Sequence, residues 1–293
     1  MRIAVTGASG FIGRALCARL SRDGHVPRTL LRSPMDALAD CEQVMAGDLA
    51  RFSDWPRALG GAKAIVHLAG YAHGRGDGAA LHAVNVAATR AAAEAARAAG
   101  AHFLYVSSIK VHGETSSSPL REDSPLAPAE RYARSKAEAE RTLRAIDGLR
   151  LTVLRPPLVY GPGVKANFRA LVNAIARGTL LPLASIDNRR SLVYVGSLID
   201  AIVRCLGDAR AVGRTYLVAD DAAPSTPALC RAIGAALGRP ARLLPFPPVL
   251  LPLRQLTRTL EADTGAIRAE LGWRPPFTLQ EGLAATARWY RGR

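Results

Sequence analysis

Arg2-Ile-Ala-Val-Thr6, followed at once by Gly7-Ala-Ser-Gly10-Phe-Ile-Gly13, reads as a short apolar strand, a glycine turn and the start of a helix that runs to about Arg22. Glycine allows the tight turn and lets backbone N–H groups approach an anion, while the helix N-terminus brings the positive end of its dipole to the same place. Gly7, Ser9, Gly10, Phe11, Ile12 and Gly13 are therefore candidate ligands of a dinucleotide pyrophosphate. The spacing is G-x-x-G-x-x-G, not G-x-G-x-x-G, so a glycine turn without a ligand stays open on this stretch alone.

A second strand, about Val26 to Leu31, ends at Arg32-Ser33. An acidic residue about twenty positions past the glycines accepts the ribose hydroxyls of NAD, whereas an arginine there pairs with the 2′-phosphate of NADP. Arg32 thus predicts NADP(H) over NAD(H), the alternative being a surface arginine in an arginine-rich protein. Further strands are expected at Gln43–Met45, Ala64–Leu68, Phe103–Ser107 and Leu151–Arg155, with helices over Ser53–Leu59, Ala79–Ala99 and Glu130–Ile146. Short, wholly apolar strands alternating with helices imply an α/β fold, a Rossmann-type doubly wound parallel sheet with ligands at the carboxyl ends of its strands. Asp48, Ala69-Gly70, Ser107-Ser108 and Pro156-Pro157 all fall on that rim. Residues 1–160 are read as the nucleotide-binding domain. Beyond them the pattern loosens into a smaller lobe, 161–293, parts of which are free to return to the sheet. Helices are expected there at Asn167–Arg177, Val195–Leu206, Thr226–Leu237, Thr264–Leu271 and Leu279–Arg291, and a strand at Arg189–Tyr194.

The formal charge of +15 comes almost wholly from dispersed arginines. No block of five basic residues occurs and aromatics are sparse, which argues against nucleic acid as a partner. Cys17, Cys41, Cys205 and Cys230 form neither a C-x-x-C pair nor a metal-ligand spacing, so no metal site or disulfide framework is expected. No signal peptide is apparent, and the apolar stretch Leu243–Leu253 is broken by prolines and too short for membrane insertion. A cytoplasmic protein is expected.

Tyr132-Ala-Arg-Ser-Lys136 places a phenol and an ammonium on one helix face. A protonated Lys136 beside Tyr132 would favour the phenolate and bring the hydroxyl toward general acid–base work. The spacing alone equally suits an exposed tyrosine.

Together these stretches resemble the extended short-chain dehydrogenase/reductase family, in its nucleotide-sugar epimerase/dehydratase branch. The resemblance spans essentially the whole chain. It implies a cofactor loop at Thr6–Gly13, an adenine contact at Asp48-Leu49, cofactor contacts at Leu68-Ala69-Gly70, Asn85 as a brace of the catalytic lysine, and a turn beneath the nicotinamide at Pro156, Leu158 and Val159. It also implies a catalytic set of Ser108, Tyr132 and Lys136, with Lys136 on the nicotinamide ribose. Ser107, Ser108, Asn167, Phe168 and Arg190 would face the substrate, Asn167 and Arg190 on a sugar-nucleotide diphosphate. The helices at 79–99 and 130–146 would pair in a homodimer. Two departures narrow the expected reaction: Ile109-Lys110 replaces the acidic pair of the dehydratases, and Gly163 stands where the C3/C5 epimerase-reductases carry histidine. An NADPH-dependent 4-ketoreductase of a UDP-4-keto-6-deoxy-N-acetylhexosamine is the expected activity. A UDP-hexose 4-epimerase with tightly bound NAD, a reductase of sterols or flavonoids, and a non-catalytic NADP-binding regulator are the alternatives.

Overall fold

The computed structural model describes residues 1–71, 78–250 and 254–292, so residues 251–253 of the apolar stretch fall outside it. Seven parallel strands form one sheet: β1 (Arg2–Thr6), β2 (Val26–Leu31), β3 (Glu42–Met45), β4 (Ala64–His67), β5 (His102–Val106), β6 (Leu151–Arg155) and, after a long excursion, β9 (Thr215–Leu217). The spatial order is β3-β2-β1-β4-β5-β6-β9. The order reverses between β1 and β4, and the glycine turn after β1 opens into that crevice, where such sheets take their ligands.

Every residue of β4, β5 and β6 is buried, as expected of strands covered on both faces. One face packs on α1 (Phe11–Arg22) through Leu16, Cys17 and Leu20. The other packs on α2 (Trp55–Leu59), α4 (Ala88–Ala98) and α5 (Arg131–Arg144), where small residues such as Ala92, Ala93, Ala96 and Ala139 let the helices lie close. The expected single helix at 79–99 is instead α3 (Gly78–His82), a π-helical turn over Ala83–Ala87 and α4. Asn85 occupies the π turn, a wider coil that commonly marks a functional position.

A second, two-stranded parallel sheet joins β7 (Leu158–Tyr160) to β8 (Leu192–Tyr194). Around it lie α6 (Ala166–Ala176), α8 (Thr226–Leu237), the short α9 (Arg254–Thr257) and α11 (Leu279–Arg291), the last begun by a capping box of Thr278 and Glu281. On the α1 face lie α7 (Val195–Gly207), which covers it through Leu198, Ile199 and Ile202, and α10 (Gly265–Leu271), which packs by β9 and adds Ile267 and Leu271. After residue 160 the chain leaves the large sheet, and α7 and β9 are the segments that return to it. β7 and β9, three residues each, carry too little periodic signal to be read beforehand.

Candidate active site

At the end of β1 the glycines are required by contact. Gly7 has φ +68°, and a Cβ there would lie 2.8 Å from the backbone nitrogen of Ala69; one on Gly13 would lie 2.3 Å from the Gly7 carbonyl oxygen. The loop is thus pressed against Leu68-Ala69 on one side and onto α1 on the other. Gly10 precedes α1 in an extended conformation and no side chain caps its first N–H groups. An uncapped helix start beside a crowded glycine turn fits a dinucleotide pyrophosphate. Phe11 points from this loop to the second lobe, its ring 3.3 Å from the position a Cβ on Gly163 would take. Arg32 follows β2 exposed, and Asp48 follows β3 exposed, accepting a 3.0 Å hydrogen bond from the Ala50 N–H.

Ser108 follows β5 on the same rim and accepts a 3.2 Å hydrogen bond from the Lys110 N–H, capping the short turn Ile109–His112. That contact uses an oxygen lone pair and leaves the hydroxyl proton available. Lys136 is buried, donates to the Val106 carbonyl at 2.9 Å, and holds its ammonium 4.5 Å from the Tyr105 ring centroid and 6.0 Å from that of Tyr132. Burial pushes the Lys136 amine down to about 8, against the opposing pull of Glu140, and pushes the Tyr132 phenol up to about 12. This direction is opposite to the phenolate-favouring action expected of Lys136: desolvation raises the Tyr132 phenol, which stays protonated at neutral pH.

A chain of hydrogen bonds joins the glycine loop to this helix. The Ala69 N–H donates to Thr6 Oγ1, and Thr6 lies 3.0 Å from His67 Nδ1. His67 Nε2 lies 3.0 Å from Thr89 Oγ1, which itself donates to the Asn85 carbonyl at 2.9 Å. With the Thr89 proton so used, Nε2–H donates to Thr89, and Nδ1 accepts from Thr6. Fully buried beneath Lys136, the imidazole stays neutral, its pKa pushed down to about 3 by burial first and by that ammonium second. The Asn85 amide then takes the Tyr71 N–H at 2.8 Å and donates to the Tyr71 carbonyl and to Ser135 Oγ at 2.9 Å; Ser135 donates to the Tyr132 carbonyl at 2.8 Å. Asn85 therefore braces α5 through Ser135. Thr6 was read only as the start of the cofactor loop, and Thr89 and Ser135 went unread in the sequence, although Thr89 stands four residues beyond Asn85, the spacing that puts both on one helix face.

Two expected substrate contacts face inward. Ser107 donates to Glu140 Oε1 at 2.5 Å, because a buried carboxylate must collect donors, and Phe168 stacks on Tyr160 in the core of the second lobe, 5.4 Å between centroids. Asn167 is exposed on the first turn of α6, behind Ala166 with its left-handed φ of +52°. Arg190 is partly buried and donates to the Arg258 carbonyl at 2.9 Å. Of the residues expected beneath a nicotinamide, Pro156 is buried and accepts the Ile109 N–H at 2.9 Å through its carbonyl, Val159 is half-buried, and Leu158 is exposed.

The profile of the NAD dependent epimerase/dehydratase family matches residues 3–219. The chain belongs to that family. It is 34% identical to the UDP-glucose 4-epimerase of Vibrio cholerae over 97% of this chain and 94% of that one. It is 33% identical to the ceramide reductase of Caulobacter vibrioides over 99% and 94%. Its fold superposes with a TM-score of 0.85 on a UDP-glucose 4-epimerase of Thermotoga maritima solved with UDP-glucose, 20% identical, covering 100% of this chain and 99% of that one. Membership makes the chain an NAD(P)-dependent enzyme of the extended short-chain dehydrogenase/reductase fold. Among the described residues no helix is long and apolar enough to cross a membrane, and no cluster of metal-ligating side chains occurs.

Proposed function

We propose that the chain is an NADPH-dependent 4-ketoreductase acting on a UDP-4-keto-6-deoxy-N-acetylhexosamine, as in the making of UDP-QuiNAc or UDP-FucNAc for surface polysaccharide. The observation that carries the choice of cofactor is Arg32, exposed directly after β2, at the position where an acidic residue would accept the ribose hydroxyls of NAD and a cation meets the 2′-phosphate of NADP. Held neutral by burial, Tyr132 is suited to give its proton to the alkoxide that develops at C4, with Ser108 donating to the same oxygen and Lys136 orienting the ribose. The cofactor supplies hydride when bound. Arg190 and Asn167 are assigned to the diphosphate of the sugar nucleotide, and the helices at 79–99 and 130–146 to a homodimer.

A UDP-hexose 4-epimerase is the second reading, favoured by the Vibrio cholerae relative. Incubation with UDP-4-keto-6-deoxy-GlcNAc and NADPH separates the two. Stoichiometric loss of NADPH absorbance is expected. Interconversion of UDP-glucose and UDP-galactose without net cofactor use would replace the reductase reading by the epimerase.

A further inference from the structure

The net charge of +15 is not evenly distributed. Residues 161–186 contain Lys165, Arg169 and Arg177, and residues 222–260 contain Arg231, Arg239, Arg242, Arg254 and Arg258, with no Asp or Glu in either stretch. The fold packs the two together: α6 and α8 share one core through Val172, Ile175, Leu229 and Ile233, and Arg239 crosses over Gly178 to donate to the Ala176 carbonyl at 2.8 Å.

An apolar ridge rises from the same face. Leu181 accepts from the Leu244 N–H at 2.8 Å and donates to the Arg242 carbonyl at 2.9 Å, setting two extended segments side by side. The contact continues through the Phe246 N–H, which donates to Ser185 Oγ at 3.1 Å, while Pro245, Pro247 and Pro248 have no N–H to give. Leu180 is left 50% exposed, Leu244 45% and Val249 89%. Single exposed aliphatics need no explanation, but several of them in two adjoining stretches that hold arginines and no carboxylate do.

We infer that this face of the second lobe docks on an anionic lipid bilayer surface, the aliphatic ridge entering the headgroup layer and Arg177 and Arg242, both exposed, meeting the phosphates. Apolar side chains with a surrounding cationic collar are the composition of interfacial anchors. A second copy of the chain would bring like charge to like. Single-stranded nucleic acid would require rings for base stacking, and the exposed ridge is aliphatic. The inference is independent of which sugar the enzyme reduces.

The test is cosedimentation of the full chain with vesicles of phosphatidylcholine alone or mixed with phosphatidylglycerol. At least tenfold stronger partitioning to the anionic vesicles is expected at low salt, reduced severalfold by Arg177→Gln/Arg242→Gln and, separately, by Leu244→Ser/Val249→Ser, both at exposed positions and both keeping the unmodified circular dichroism. Failure to sediment with anionic vesicles, equal binding to neutral ones, or undiminished binding by both variants overturns it. So does a surface that instead retains an RNA oligomer, or a dimer that these variants dissociate, without vesicle binding.

Discussion

Arg155 and Glu140 form a buried ion pair in which Nε of the guanidinium lies 3.0 and 3.2 Å from the two carboxylate oxygens and Nη2 lies 2.6 Å from the second. Glu140 stands one helical turn past Lys136 on α5, and Arg155 ends β6. The same carboxylate takes the Ser107 hydroxyl from the end of β5, and the remaining Arg155 nitrogen donates to His112 Nε2 at 2.9 Å and to the Glu122 carbonyl at 3.0 Å. Because arginine can only donate, Nε2 accepts, and His112 donates through Nδ1–H to the Pro125 carbonyl. One pair thus fixes α5 to the two strand ends that carry Ser108 and the Pro156 turn.

Removing one member leaves the other charged and buried. Glu140→Ala should cost about 3–5 kcal/mol, and Glu140→Leu/Arg155→Leu should cost less than that single change. Urea denaturation checks both, and a wild-type midpoint for Glu140→Ala would remove the pair from the account.

Tyr132→Phe keeps the ring and deletes the proton donor, so turnover should fall about a hundredfold or more while the fold is retained. Lys136, with an amine pushed down to about 8, is charged below that pH and neutral above it, so turnover should fall on the alkaline side. Glu140 pulls that value up, so Glu140→Gln should move the alkaline limb to lower pH. A limb that stays in place would show that Lys136 does not govern it.

Asp220 lies buried with one oxygen accepting from the Tyr194 N–H at 2.8 Å and the Tyr160 hydroxyl at 3.3 Å, while its other oxygen has no hydrogen-bond partner. Burial raises its carboxyl from 3.8 to about 6. The fold keeps a proton that the unfolded chain has released, so stability declines as pH rises from 3.8 through about 6. Asp220→Asn should therefore stabilise by about 1–2 kcal/mol at neutral pH, with the gain fading in acid. Thermal melts across that range decide it.

His67 works in the opposite direction. Its pKa falls from 6.5 unfolded to about 3 folded, so its contribution is whole above 6.5 and is lost as pH falls toward 3. By pH 5 the loss from this residue is about 2 kcal/mol. His102, pushed down to about 4 by burial, adds in the same sense. His67→Gln should flatten the acid decline in urea midpoints; an unchanged slope would place the decline elsewhere.

Six sheet strands and the rim they share were legible because β1, β4, β5 and β6 are short, mostly apolar runs between turn residues, and because Gly7 and Gly13 sit where only glycine fits; β2 and β3, with Arg28, Thr29, Glu42 and Gln43, were read from their place in the alternation. Tyr132 and Lys136 were legible from helical spacing combined with the family likeness. What the sequence hid was the direction of side chains at strand ends. Ser107 and Ser108 are adjacent and identical, and only the position of Glu140 shows that the first hydroxyl turns inward. Phe168 likewise has the composition of a ligand contact and the surroundings of a core residue. The balance between desolvation and the Lys136 charge on Tyr132 depends on burial, which spacing does not encode.

The return of β9 to the edge of the large sheet constrains how this enzyme can be reshaped. Because α7 and β9 come after the first segment of the second lobe and before its remainder, that lobe is written in two separated pieces of chain. No single crossover can exchange it for that of a relative. A recombinant made at one junction near residue 160 would import foreign α7 and β9 against native α1 and β6, so a working chimera needs two grafts, one between β6 and α7 and one after β9.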